Sequence, residues 1–264
     1  MTTVAGVEER ETLFIGGEWR SLGWPGAIVV EDPSTEERLG TVPDGGRPGV
    51  DAAVAAARAA FDAWRATPSS ERAAALERLA DLVEDAASAL GAVIAREVGM
   101  PLEQSVQVQA ALPVGVLRGA AEEARRHRFV ERAGVAEVHY EAAGVVAAIT
   151  PWNFPLHQIA AKVGPALAAG CTVVLKPSEL APLNAFMLAD LAARAGLPAG
   201  VFNLVTGDGP GTGEALVTHP GVDVVSLTGS VRAGRRVAAL AGAGLKRLAL
   251  ELGGKSPSLV LDDA

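Results

Sequence analysis

Gly144-Val145-Val146-Ala147-Ala148-Ile149, followed directly by Thr150-Pro151-Trp152-Asn153-Phe154-Pro155, is the stretch that decides the fold. Its first six residues form an unbroken apolar run, the pattern of a strand covered on both faces in a parallel sheet. Downstream, Thr172-Val173-Val174-Leu175, Phe202-Asn203-Leu204-Val205, Val222-Asp223-Val224-Val225-Ser226 and Ser258-Leu259-Val260-Leu261 are further short β-rich runs. Segments near 157–169, 182–195, 211–218 and 231–242 read as helices between them. Alternating β and α units predict an α/β fold, a Rossmann-type parallel sheet with helices on both faces.

Upstream the pattern differs. Residues 13–42 read as extended and turn-rich, with Leu13-Phe14-Ile15 running into Gly16-Gly17. From about Val50 to Arg128 the apolar residues recur every three or four positions, as in helices. Pro68-Ser69-Ser70-Glu71 reads as a helix start with a hydroxyl cap. Leu76, Leu79 and Val83 then share one buried face, and Gly99-Met100-Pro101 marks a break. Helix 103–127 ends in Arg125-Arg126-His127-Arg128, read as a solvated terminus. Val135 to Tyr140 reads as a half-exposed strand. The organisation expected is an extended and helical part over 1–128, a β segment over 129–143 and an α/β core over 144–264.

Composition excludes several classes. The chain has 264 residues, 49% of them hydrophobic and 4% aromatic, so a sizeable core built mainly of Ala, Val and Leu is expected. The net charge of −8 argues against nucleic-acid or anionic-membrane partners. No run of about 18 apolar residues suggests a membrane span. A single cysteine, Cys171, and an N-terminus without a basic-then-apolar leader pattern favour a cytoplasmic location. Cys171 enters an apolar strand and reads as a structural thiol, with nothing nearby to stabilise a thiolate.

Nucleotide motifs of the common kinds are absent. In Gly207-Asp208-Gly209-Pro210-Gly211-Thr212-Gly213, Thr212 breaks the dinucleotide glycine register. Gly254-Lys255-Ser256 matches the end of a phosphate loop, but Ala249 stands where its first glycine belongs.

Four segments, in order, instead resemble the aldehyde dehydrogenase superfamily. They are Thr150 to Pro155, Lys176-Pro177-Ser178-Glu179, Leu227-Thr228-Gly229-Ser230 with Gly234, and Leu250-Glu251-Leu252-Gly253-Gly254-Lys255-Ser256-Pro257. The resemblance runs from about Leu13 onward and covers about the first half of a typical member. It implies NAD-dependent oxidation of an aldehyde to a carboxylic acid, with Glu251 and Asn153 catalytic and no metal. Thr150, Pro151, Trp152, Lys176, Ser178, Glu179, Gly209, Gly229, Ser230, Gly234 and Leu252 would bind the cofactor.

By that resemblance Lys176 and Glu179 hold the adenosine ribose; the plain alternative is a surface ion pair. A carboxylate there repels a 2′-phosphate, which favours NAD over NADP. Ser230 opens a helix whose N-terminus suits pyrophosphate, or is only a cap. Asn153 would donate to a developing oxyanion, unless it is a turn residue. Glu251, between Leu250 and Leu252, would be the general base, its pKa raised by apolar surroundings. The alternative for Glu251 is an acid at a strand end, for Trp152 a structural residue, and for His157 a packing or capping role. The family's nucleophilic cysteine lies downstream of the glutamate signature, and this sequence ends 264 − 257 = 7 residues after Pro257. The chain alone is therefore expected to be inactive, and its uncovered apolar surface to favour weak NAD binding or aggregation. The parent is expected to be a homodimer or homotetramer using residues 129–143. Rival readings are a non-catalytic NAD-binding or interaction module and the CoA-acylating semialdehyde dehydrogenase branch, against which Glu251 weighs.

Overall fold

The computed structural model describes residues 9–263; the first eight positions of the polar N-terminus, and Ala264, lie outside the described residues. The early extended region forms two antiparallel ribbons, β1 (Leu13–Ile15) with β2 (Glu18–Arg20) and β3 (Gly26–Asp32) with β4 (Glu37–Asp44). Helices α1 (Gly46–Ala66), α2 (Ser69–Asp85) and α3 (Ala87–Val98) follow. Leu76, Leu79 and Val83 are all buried, as their spacing requires. The hydroxyl cap at Pro68–Glu71 is not formed. Pro68 is the N-cap, it has no capping side chain, and the serines already lie inside the first turn. Gly99 ends α3 in the left-handed conformation at φ 72°.

The expected helix over 103–127 is interrupted. A short α4 (Leu102–Gln104) passes into a π-helical turn, Ser105–Ala110, and then into α5 (Ala111–Arg126). The extra residue in that turn shifts the face presented beyond it. β5 (Val130–Ala133) and β6 (Ala136–His139) then form a hairpin exposed at every position, more exposed than the half-buried strand expected there.

The sheet is built from β7 (Val145–Ile149), β8 (Thr172–Lys176), β9 (Phe202–Leu204), β10 (Val224–Gly229) and β11 (Arg247–Leu252). All neighbours are parallel, in the order β11-β10-β7-β8-β9. The connecting helices are α6 (Pro155–Ala168), α7 (Leu183–Arg194), α8 (Glu214–Thr218, preceded by a π-helical turn at Gly209–Gly213) and α9 (Val231–Ala243). The chain runs outward from β7 to β8 and β9, returns, and runs outward again to β10 and β11. Right-handed crossovers in the two directions place α6 and α7 on one face and α9 on the other. The reversal beside β7 makes a topological switch point, and open α/β sheets bind ligands outside the strands' carboxyl ends at such a point.

Burial explains which strands the sequence announces. All of β8, and Val145 to Ala148 of β7, are buried. The strand expected at Ser258–Leu261 is not formed; those residues are exposed and pair with no strand among the described residues. β-propensity needs a partner and a packed face. The fifth strand is instead β11, paired with β10 alone and mostly exposed. Leu245, Leu259, Val260 and Leu261 form exposed apolar surface nearby in sequence. Among the described residues no helix is long and apolar enough to cross a membrane.

Candidate active and cofactor site

The four motif segments meet at the carboxyl ends of the sheet. Ile149 pairs with Lys176, Leu227 with Ile149 and with Leu250, and Gly229 with Leu252. The Thr150 amide donates to the Lys176 carbonyl at 3.2 Å. Thr150 is buried, and its Oγ1 has no hydrogen-bond partner among the described residues. After Pro151, Trp152 is half exposed, and Phe154 is the N-cap of α6 with Pro155 in its first turn. Asn153 sits exposed in that bend. Its backbone carbonyl accepts a 2.9 Å hydrogen bond from Gln109 Nε2, so the π-helical turn anchors the segment that carries the candidate oxyanion donor. His157 belongs to α6 and lies edge-on to Phe154, a packing contact.

Lys176 is not part of a surface pair: its side chain is 3% exposed, against 41% for Glu179. Its ammonium donates to the Pro177 carbonyl at 2.8 Å and to Glu179 Oε2 at 3.3 Å. Burial lowers the Lys176 pKa, while the negative charges of Glu179, Asp208 and Asp44 pull it back up. Ser178 is buried and its hydroxyl accepts from the Leu180 amide at 3.3 Å, shaping the turn. The π-helical turn that begins at Gly209 is capped by Asp208, which accepts from the Gly211 amide at 2.6 Å. A Cβ on Gly213 would stand 3.9 Å from Lys176 Cδ, so that turn lies along the lysine stem.

Gly229 ends β10 and Ser230 is the N-cap of α9. The Ser230 hydroxyl accepts from the Ala233 amide at 3.1 Å, so its side chain does serve as a cap. That leaves the Val231 and Arg232 N–H groups of the first turn, together with the dipole end of a 13-residue helix, just beyond the carboxyl end of β10. Gly234 and Leu252 come together: a Cβ on Gly234 would be 2.5 Å from Leu252 Cδ2. Glycine at 234 lets β11 lie against α9.

Glu251 stands on β11 opposite Thr228. It is exposed, so the apolar surroundings expected from Leu250 and Leu252 are not formed. On a strand, the residues before and after point to the other face and cannot enclose it. Its electrostatic neighbour is Lys162 of α6, a buried lysine whose ammonium donates to Ser226 Oγ at 3.1 Å. Burial lowers the Lys162 pKa and the Glu251 charge raises it.

A model of the aldehyde dehydrogenase family matches residues 20–264. The chain belongs to the aldehyde dehydrogenase family. It is 49% identical over 253 residues to a 3-succinoylsemialdehyde-pyridine dehydrogenase of Pseudomonas, covering 95% of this chain and 53% of that protein. It is 40% identical to the NADP(+) succinate-semialdehyde dehydrogenase of Escherichia coli, over 97% of this chain and 54% of the relative. Among solved structures, aldehyde dehydrogenase C of Pseudomonas syringae, complexed with NAD+ and octanal, matches with a TM-score of 0.93 and 45% identity. That match covers 96% of this chain and 52% of the other. The chain thus spans about half the length of the relatives it matches.

For an aldehyde dehydrogenase chain, the sequence passes over three groups that the structure brings to the site. Lys162 could have been noticed, because a lysine three residues from Ile159 and next to Val163 falls on the buried face of its helix. Gln109 and Asp44 reach the site only through tertiary contacts. Cys171 is buried at the start of β8, as expected. One expectation there needs correcting: the Arg72 guanidinium lies close enough for electrostatic interaction with Cys171.

Proposed function

We propose that the whole protein to which this chain corresponds oxidises an aldehyde to a carboxylic acid with NAD. The observation that carries the reading is the convergence of Thr150, Asn153, Lys176, Glu179, Ser230 and Glu251 at one end of a parallel sheet. The residues fit a dinucleotide. Lys176 and Glu179 offer a donor and an acceptor for ribose hydroxyls, the start of α9 offers N–H groups for pyrophosphate, and Thr150 Oγ1 is a hydroxyl without a partner among the described residues. Pro151, Trp152, Ser178, Gly209, Gly229, Gly234 and Leu252 shape the surrounding walls. When bound, NAD supplies the hydride acceptor.

The chain's own residues do the rest. The Asn153 amide donates to the developing oxyanion, a contribution worth about 3 kcal/mol for one such donor. Glu251 takes the proton of the water that releases the acid, and its electrostatic neighbour is the buried Lys162 of α6. Glu251 also favours hydrolysis over transfer to coenzyme A. The nucleophilic thiol is not Cys171, which is buried at the start of β8, so it belongs to the part of the whole protein that this chain does not span. Three carboxylates around Lys176 favour NAD over NADP, since each repels a 2′-phosphate. The bound NAD+ and octanal of the Pseudomonas syringae enzyme support the cofactor and the substrate class. The exposed β5–β6 hairpin serves subunit contacts in a cytoplasmic homodimer or homotetramer.

Calorimetric titration of the chain with NAD and NADP tests this reading. NAD should bind, weakly, and NADP more weakly still. Tighter NADP binding would refute the cofactor assignment. Aldehyde-dependent reduction of NAD by the chain alone, abolished by Glu251→Ala, would refute the placement of the thiol.

A further inference from the structure

Glu97, near the end of α3, is a buried acid that the chemistry above does not use. Its carboxylate accepts from the backbone amide of Leu183, from the Asn184 amide at 3.1 Å and from Asn184 Nδ2 at 2.8 Å. Leu183 and Asn184 are the first residues of α7, whose N-cap is Pro182, a residue with no capping side chain. An acid 86 positions earlier therefore does what a local Ser or Asp does at most helix starts. Its negative charge also suits the helix dipole. Asn184 Nδ2 donates in addition to the Ala181 carbonyl at 2.9 Å, which ties the preceding turn into the same network.

That turn, residues 177–182, carries Ser178 and Glu179. One of its ends is fixed by buried Lys176 at the close of β8, the other by Glu97. Burial favours the neutral acid and raises the Glu97 pKa to about 7, opposed by the hydrogen bonds from Asn184 and from the two backbone amides. Among the described residues all of its donors belong to α7.

We propose that Glu97 is a positioning residue for nucleotide binding: by capping α7 it sets the 177–182 turn and holds Glu179 against Lys176. The proposal rests on the reading of Lys176 and Glu179 as the ribose-binding pair. Capping is worth about 1–2 kcal/mol, so its loss converts to about a tenfold change in local opening.

The test uses the 264-residue chain with Glu97→Ala and the volume-preserving Glu97→Gln, which keeps one acceptor. Hydrogen exchange should quicken about tenfold across 177–186 in Glu97→Ala and less in Glu97→Gln. Exchange across 224–252 should stay unchanged, which a general loss of stability would not allow. Affinity for AMP, which carries only the adenosine ribose end, should fall about fivefold or more, while affinity for nicotinamide mononucleotide should not. Unchanged exchange in 177–186, or a uniform rise along the chain, overturns the tie between Glu97 and the turn. Unchanged AMP affinity in both variants overturns the positioning role alone. Failure of the unsubstituted chain to bind AMP overturns the ribose reading and the positioning role with it, whereas the exchange result still judges the cap.

Discussion

Replacing Glu97 with glutamine should change how the stability of this chain depends on pH. The carboxyl is buried, and its pKa rises from 4.5 to about 7 on folding, burial being the main cause. The difference, 7 − 4.5 = 2.5 pH units, at about 1.36 kcal/mol each, amounts to about 3 kcal/mol. The folded chain binds this proton more tightly than the unfolded chain. The contribution is therefore complete below the unfolded value of 4.5 and is lost as pH rises through about 7. Glutamine does not titrate, so the stability of the parent minus that of Glu97→Gln isolates the effect. Urea unfolding followed by circular dichroism between about pH 5 and pH 8 measures it. The difference should fall by about 2–3 kcal/mol across that range, most of it before neutrality. A difference constant to within about 0.5 kcal/mol would show that Glu97 is not desolvated and would remove its electrostatic account.

Two further outcomes follow from close packing. In Gly91→Ala the new Cβ would stand 2.8 Å from Val106 Cα and 2.9 Å from its amide nitrogen, so the π-helical turn that carries Gln109 must move. A loss of about 1–3 kcal/mol is expected by urea unfolding, and a loss below about 0.5 kcal/mol would mean the two segments are not in contact. Cys171 should react with an aromatic disulfide reagent only as fast as the chain unfolds, because it is buried; rapid native-state labelling would contradict its buried place at the start of β8.

What the sequence reveals here depends on how local the cause is. Val145 to Ala148 and Thr172 to Leu175 are legible because strands covered on both faces must be continuously apolar. Leu76, Leu79 and Val83 are legible because one helical face is buried. Lys176, Glu179, Ser230 and Glu251 stand out in the sequence only through motifs, and the strand register brings the segments that carry them to one end of the sheet. Ser258 to Leu261 misleads, because its β-rich composition has no partner strand among the described residues, whereas Arg247–Leu252 has β10 beside it. The burial of Glu251 misleads for a geometric reason: adjacent strand residues face away from one another. The π-helical turn and the cap from Glu97 to α7 leave no local mark, since one depends on a single extra residue and the other joins groups 86 positions apart.

The central claim is that the carboxyl end of this sheet holds NAD between the 176–179 turn and the start of α9. Amide hydrogen exchange of the chain with and without saturating NAD tests it most directly. The account predicts protection confined to residues 176–182, 209–213 and 229–234, and lost in Lys176→Ala. Protection centred instead on the α5 and β5–β6 surface, or on the opposite, amino-terminal end of the sheet near Lys246, would contradict it.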